Sequence, residues 1–407
     1  GTTAEIAAAA VGRYSEDRDR ARAIWEFTRR HRFHATTWDA EVQDPVKTFN
    51  VYGYTLCGDD AQVIADLWKA AGLQTRRGYP VGHCVSEVFY DGAFHLLDGD
   101  EHAIYLRRDN ETIAGEEEAV RDHDLIKRTH TYGILQNDDP MTDQFSASLF
   151  GYEGERKGSH GGHGGHTMAY TLRPGESLEW RWDHVGKEYT AARIAPDGKY
   201  HGDGTGSLTA WGNQAYAALR NGRLHYAPDL ARDVSRRGMA ETANLAPAAA
   251  AGLVPADATA AAVVAWRQAS AYVMVGGTVA IAGTVRDPAA AVKLEIAADG
   301  RTWSPLAEFA EAGPLKQQVS LDDRLSPIGK PQYAWWLRLT VPPGSAVTAI
   351  VLDTDLQMAA LGLPALQAGQ NAIVYRDASP AGRQVRITHA WTERPAWHRP
   401  PAPRLEE

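Results

Sequence analysis

The chain has 407 residues, 44% hydrophobic and 23% charged, the balance of a globular protein with length for two or three cores. Its 42 Lys and Arg stand against 51 Asp and Glu, and the net charge of -9 speaks against nucleic acid or an anionic membrane as partner, because phosphate binding needs a basic face. Two cysteines, Cys57 and Cys84, make no disulfide framework, and no apolar run is long enough to span a bilayer.

The chain opens Gly1-Thr2-Thr3 with no basic segment before an apolar one. The expectation is a secreted or periplasmic protein whose signal peptide is absent here. Residues 1 to about 75 read as helical. Ser15 is a candidate N-cap, and Ala21, Ala23, Ile24, Trp25 and Phe27 place apolar groups at helical spacing. A second helix runs from Asp60 to Ala71 and stops at Gly72, with Cys57 and Gly58 just ahead of it. A cysteine there has its sulfur near a helix N-terminus, whose partial positive charge favours a thiolate.

The runs His83–Tyr90 and Ala93–Asp98 flank Asp91-Gly92, a two-residue hairpin turn. That turn sets Tyr90 opposite Ala93 and Val85 opposite Asp98. His83 then lies one diagonal step from Asp98 on the same face, at roughly 7–8 Å between Cα atoms. This is close enough for a carboxylate to fix the imidazole tautomer. Strict alternation turns Cys84 away from His83, which reads it as structural.

Several segments here are similar to the motifs of transglutaminase-like proteins. Tyr54-Thr55-Leu56-Cys57-Gly58-Asp59 resembles the cysteine motif, His83-Cys84-Val85-Ser86-Glu87-Val88 the His-x-x-x-Glu-Val strand, and Phe94-His95-Leu96-Leu97-Asp98 the aromatic-x-x-x-Asp strand. Gly72-Leu73-Gln74-Thr75-Arg76-Arg77 fits the "Gly, apolar, x, x, Arg" segment between them. The resemblance covers roughly residues 15 to 105. Val85, where the family has an aromatic, and Gly99-Asp100, in place of Pro-Thr-type residues, are departures from it. It implies a papain-like triad of Cys57, His83 and Asp98, acting by nucleophilic catalysis through a thioester. The oxyanion would be held by the Cys57 backbone N–H and one upstream donor, from Tyr52 or Asn50.

Further along, Gly158 to His166 spaces His160, His163 and His166 as His-x-x-His-x-x-His among glycines. It reads as a loop between domains, with a zinc or copper site as the sharper alternative. One of these histidines, with Tyr170, can also line the cleft. No other cofactor is expected. Arg121, His123, His130 and Tyr132 read as a solvated charged segment, with an anionic substrate as the alternative.

From about 166 the texture becomes β-like: Met168–Leu172, Leu178–Trp182, Tyr272–Val275, Val292–Ile296, Tyr333–Leu339 and Val385–Thr388, with an Ala-rich linker over 246–262. The expected architecture is an α+β transglutaminase-like core followed by antiparallel β-sandwich, divided as 1–150, 151–260 and 261–407. Asp299-Gly300-Arg301-Thr302-Trp303 resembles a turn of sandwich modules in carbohydrate-active proteins, and reads equally as a hairpin around a structural tryptophan. Sixteen Tyr and 12 Trp against 8 Phe suit a sugar-handling surface and sheet packing alike. Two functions remain open. One is a cysteine-dependent acyl hydrolase or transferase on a polypeptide. The other is a polysaccharide-degrading enzyme, a lyase on a uronic-acid polymer, using His83 and a tyrosine such as Tyr52 as acid and base.

Overall fold

A computed structural model describes residues 1–34, 40–78, 80–81, 83–129, 158–189, 219–327, 330–363, 370–371, 375–378 and 384–390. The chain divides into two compact units, Gly1–Leu363 and Pro364–Glu407. In the second unit the described residues form no helix or strand, so the strand expected at Val385–Thr388 is absent. Tyr375 and His389 share a hydrogen bond of 2.7 Å there.

The first unit mixes helix with antiparallel sheet. Helix α1 spans Thr3–Val11 and α2 spans Asp17–His31. Glu16, not Ser15, is the N-cap of α2, and no side chain caps it. Ala21, Ile24 and Thr28, three and four apart, form its buried stripe. Strand β1, Phe33–His34, pairs in parallel with β2, Tyr54–Thr55. Between them lie a 3-10 turn (Ala40–Gln43), the short helix α3 (Pro45–Lys47) and a π-turn (Thr48–Tyr52). Helix α4 covers Cys57–Ala70, three residues longer at its start than the sequence suggests, and it ends before Gly72, whose φ of 84 is the left-handed stop.

Four antiparallel strands follow, in spatial order β3 (Thr75–Gly78), β4 (Val85–Tyr90), β5 (Ala93–Asp98) and β6 (Ala103–Ile104). The hairpin register is the expected one, Tyr90↔Ala93 through Glu87↔Leu96. Both turn residues have positive φ, 49 at Asp91 and 79 at Gly92, as a two-residue turn matched to strand twist requires. The two family-like motif residues Arg76 and Glu87 face each other across β3 and β4, and their ion pair is 2.5 Å long. Helices α1, α2 and α4 bury Ile24, Ile64, Leu67 and Trp68 with Val88 and Leu97 of this sheet in one core. Short helices α5 (Glu116–Arg121) and α6 (Asp124–Thr129) complete the layer.

The rest of the unit is a sandwich. One sheet is built from β9 (Met239–Ala243), β10 (Ala262–Ala269), β12 (Val292–Ala297), β13 (Ser304–Phe309) and β15 (Ala334–Val341). The other holds β7 (Glu176–Glu179), β8 (Arg220–Tyr226), β11 (Met274–Val285), β14 (Gly313–Ser320) and β16 (Ala346–Met358). Alternate residues such as Val264, Trp266, Leu337, Ile281 and Leu352 fill the space between them.

Several expectations need correction. A boundary at 260 falls between β9 and β10, which are hydrogen-bonded neighbours, so the proposed second and third domains share both sheets. Residues 246–261 are the β9–β10 connection, stitched to the sandwich by the Leu253↔Val347 bridge. Met168–Leu172 is irregular, and β7 ends at Glu179, short of Trp182. In the Asp299–Trp303 turn, the Asp299 carboxylate accepts the Arg301 and Thr302 N–H groups, and Arg338 stacks on Trp303 at 4.4 Å. This is the hairpin with a structural tryptophan. Among the described residues no helix is long and apolar enough to cross a membrane.

Candidate active site

Three elements meet at the site. Cys57 is the first residue of α4, and its backbone N–H has no partner within the helix. His83 stands two residues ahead of β4, and Asp98 closes β5. His83 Nε2 and Asp98 Oδ2 are 2.6 Å apart, both buried. That leaves Nδ1 free to serve the Cys57 thiol, whose sulfur lies within 4.8 Å of a His83 ring nitrogen. The other Asp98 oxygen accepts the N–H groups of Asp100 at 2.9 Å and Glu101 at 3.0 Å. The Trp25 indole donates to the Asp98 carbonyl at 2.7 Å, so α2 also fixes this corner.

Burial works against an imidazolium at His83. The charge of Asp98 and its hydrogen bond outweigh that, and the ring holds its proton well above the ordinary histidine value.

Cys84 does not face away. Its sulfur stands at the start of α4, 4.0 Å from where a Cβ on Gly58 would sit. Alternation fails as a guide because β4 begins at Val85, so the two residues before it follow no strand period. The two thiols titrate as a pair, the first proton easy to lose and the second hard. Cys84 is drawn down to about 7, chiefly by the Cys57 hydrogen bond, against burial and with help from Arg77. Cys57 is pushed up first by that same bond and then by burial, while His83 pulls it back.

A charged cluster lies behind the triad. The Arg32 side chain is fully buried, 2.8 Å from Asp60 and 3.1 Å from Asp100, and it also donates to the Gly99 carbonyl. Burial raises Asp60 to about 7 despite Arg32, and raises Glu101 to about 8 with the charges of Asp98 and Asp100 adding to it. His102 is driven down to about 3 by burial and then by Arg32. A Cβ on residue 99 would come 2.5 Å from an Asp60 oxygen, so a side chain there would press on that carboxylate. The sequence offers one signal of this cluster, the unusual Asp98-Gly99-Asp100-Glu101 run. Arg32 carries none, being one arginine in a basic helix end.

The other candidates lie elsewhere or have other partners. The Asn50 amide donates to the Val46 carbonyl at 2.8 Å. Tyr52 is buried in the sandwich core and donates to Glu41 at 3.2 Å, a carboxylate that also takes the Tyr333 hydroxyl at 2.5 Å. The Tyr52 hydroxyl hydrogen and one Asn50 amide hydrogen are committed to these acceptors. Tyr170 shares a 2.5 Å hydrogen bond with Ser270, away from the triad. Arg121 and His123 are exposed, and His130 and Tyr132 lie outside the described residues.

The His/Gly run is a strap across α4. His160 Nδ1 meets the Gln62 amide at 2.8 Å, and His166 Nε2 meets the Ala271 carbonyl at 2.8 Å. The N–H groups of Gly162 and His163 point at the Asp66 carboxylate, 2.5 and 3.0 Å away. The glycines therefore wrap Asp66, with φ of 96 at Gly161 and 92 at Gly162. His160, His163 and His166 do not converge. Among the described residues, the group able to hold a metal ion is Cys57, His83 and Asp100, with ligand atoms all within 4.8 Å of one another. Set against protein-family models, curated proteins and solved structures, the chain finds no match in any of the three.

Proposed function

We propose that the protein is a cysteine-dependent acyl hydrolase or transferase, of peptidase, amidase or transglutaminase type, with a transglutaminase-like arrangement in its N-terminal layer. The observation that carries this reading is the placement of His83, bonded to the Asp98 carboxylate through Nε2 and within 4.8 Å of a thiol at a helix start. In this reaction the Cys57 sulfur attacks the acyl carbon and its proton stays on, or passes to, His83 Nδ1. The tetrahedral oxyanion sits against the Cys57 N–H and the positive end of α4. His83 then protonates the leaving amine as the C–N bond breaks, giving a thioester. Water or a second amine attacks the thioester, His83 takes its proton, and the proton returns to the departing sulfur. Asp98 holds the ring and its charge throughout.

The polysaccharide-lyase reading has less support. It asks for a tyrosine hydroxyl beside His83, and Tyr52 is committed to Glu41.

The test is a product screen on peptides and acidic polysaccharides with wild type, Cys57→Ala and His83→Ala. Loss of amide turnover in both variants, and inactivation of wild type by iodoacetamide at Cys57, is the expected result. Full activity in Cys57→Ala, with unsaturated products absorbing in the ultraviolet, would replace acyl transfer by the lyase.

A further inference from the structure

Acyl transfer leaves one buried group beside the thiol unused. Asp100 is 1% exposed, and its carboxylate shares the 4.8 Å cluster with Cys57 Sγ and a ring nitrogen of His83. Both non-thiol members have outer partners in place. His83 gives Nε2 to Asp98 at 2.6 Å, and Asp100 Oδ1 is held by Arg32 at 3.1 Å. A metal-binding histidine is held in this way, with its far nitrogen on a carboxylate that fixes ring and tautomer. The edges of a tetrahedral zinc site run about 3.3–3.8 Å, from Zn–S near 2.3 Å and Zn–N or Zn–O near 2.0–2.1 Å. Closing the cluster onto an ion therefore takes about 1 Å of movement at its widest edge. The donor set, sulfur with imidazole and one carboxylate, suits zinc and its neighbours over magnesium or calcium, which want an oxygen shell.

The geometry points to an inhibitory metal site, in which a thiophilic divalent cation binds Cys57 Sγ, His83 Nδ1 and the Asp100 carboxylate. On binding, the proton shared between Cys57 Sγ and His83 Nδ1 goes to solvent, and the freed electron pairs go to the metal. The metal then occupies both the attacking sulfur and the nitrogen that shuttles the proton. The metal-free chain is the active form. The effect on turnover rests on the reading of Cys57 as nucleophile, whereas the binding does not.

The test uses the full chain, stripped with a chelator and titrated with Co2+ and then Zn2+. Expected are a thiolate-to-cobalt charge-transfer band at one ion per chain, its loss as Zn2+ displaces Co2+, and protection of Cys57 from iodoacetamide by Zn2+. Asp100→Asn, which keeps the side-chain shape, should weaken zinc by at least about tenfold, the loss that even an outer partner of a ligand causes. Absence of the band and of protection in wild type overturns the proposal without reliance on any variant. So does zinc affinity that is unchanged in both Asp100→Asn and Cys57→Ser, which would place the ion elsewhere. Band and protection in a chain that turns over no acyl substrate would sustain the metal site and sink the acyl-transfer reading. Acyl turnover without the band would do the reverse.

Discussion

Glu101 offers a sharp test of the charge balance behind the triad. Its carboxyl is raised from 4.5 to about 8, by burial first and then by the charges of Asp98 and Asp100. Its Oε2 is buried with no hydrogen-bond partner among the described residues. A carboxyl that holds its proton more tightly in the fold than in the open chain destabilises the fold as pH rises. The loss begins near the unfolded value, grows through the interval and levels off above the folded one. At about 1.36 kcal/mol per pKa unit, the spread corresponds to a ceiling on the order of 5 kcal/mol above pH 8. Glu101→Gln keeps the shape and cannot ionise. It should leave stability almost unchanged near pH 5 and raise it by about 2–4 kcal/mol at pH 8.5, below that ceiling because glutamine must still bury an amide. Urea midpoints for both proteins at half-unit steps from pH 5 to 9 would measure this. A difference that is flat across that range, or a variant less stable than wild type at pH 8.5, would show that Glu101 is not held neutral by its surroundings.

Asp98→Asn should leave the fold intact and lower acyl turnover by about 10^3–10^4, because the amide cannot support the His83 charge or its tautomer; kcat on a screened substrate reads this. Cys84→Ala removes the main influence raising Cys57, so alkylation of Cys57 by iodoacetamide at pH 7 should become several-fold faster, whereas a purely structural Cys84 would leave the rate unchanged. Gly161→Ala introduces a Cβ that collides with the Asp66 carboxylate at a φ of 96. It should cost about 1–3 kcal/mol and expose residues 158–166 to limited proteolysis.

What the sequence made legible was local. Asp91-Gly92 is a turn whose backbone demands are met within two residues, and the period of two then fixes the register back to Glu87 and forward to Leu96. The His83–Asp98 contact follows from that register. The same rule misplaced Cys84, because it was carried past the point where hydrogen bonding to β3 and β5 ends. Partners far along the chain left no local trace. Asp66 binds N–H groups 96 and 97 residues away, so the glycines of the strap could be read as slack or as a metal loop but not as a cradle for a helix carboxylate. Arg32 likewise finds Asp60 and Asp100 only once α2, α4 and β5 are packed together. Sheet membership in the sandwich is also a long-range matter, since β8 pairs with β16 across more than a hundred intervening residues.

Glu41 receives the hydroxyls of both Tyr52 and Tyr333, while Ala359 donates to the Asn50 carbonyl and Gln357 to the Val51 carbonyl. These contacts weld the segment just upstream of Cys57 to the last strand of the sandwich. The N-terminal layer is thus not a module that can be lifted out. A fragment ending near residue 129 would lay Val42, Val51, Tyr52 and Tyr54 open to water and leave Glu41 without Tyr333, so it should come out of a cell as aggregate. Shuffling this layer onto a foreign sandwich would meet the same obstacle. In an evolving lineage the two parts would have to change together at this seam, and a substitution at Tyr333 would be felt at Glu41 and Tyr52 in the N-terminal layer.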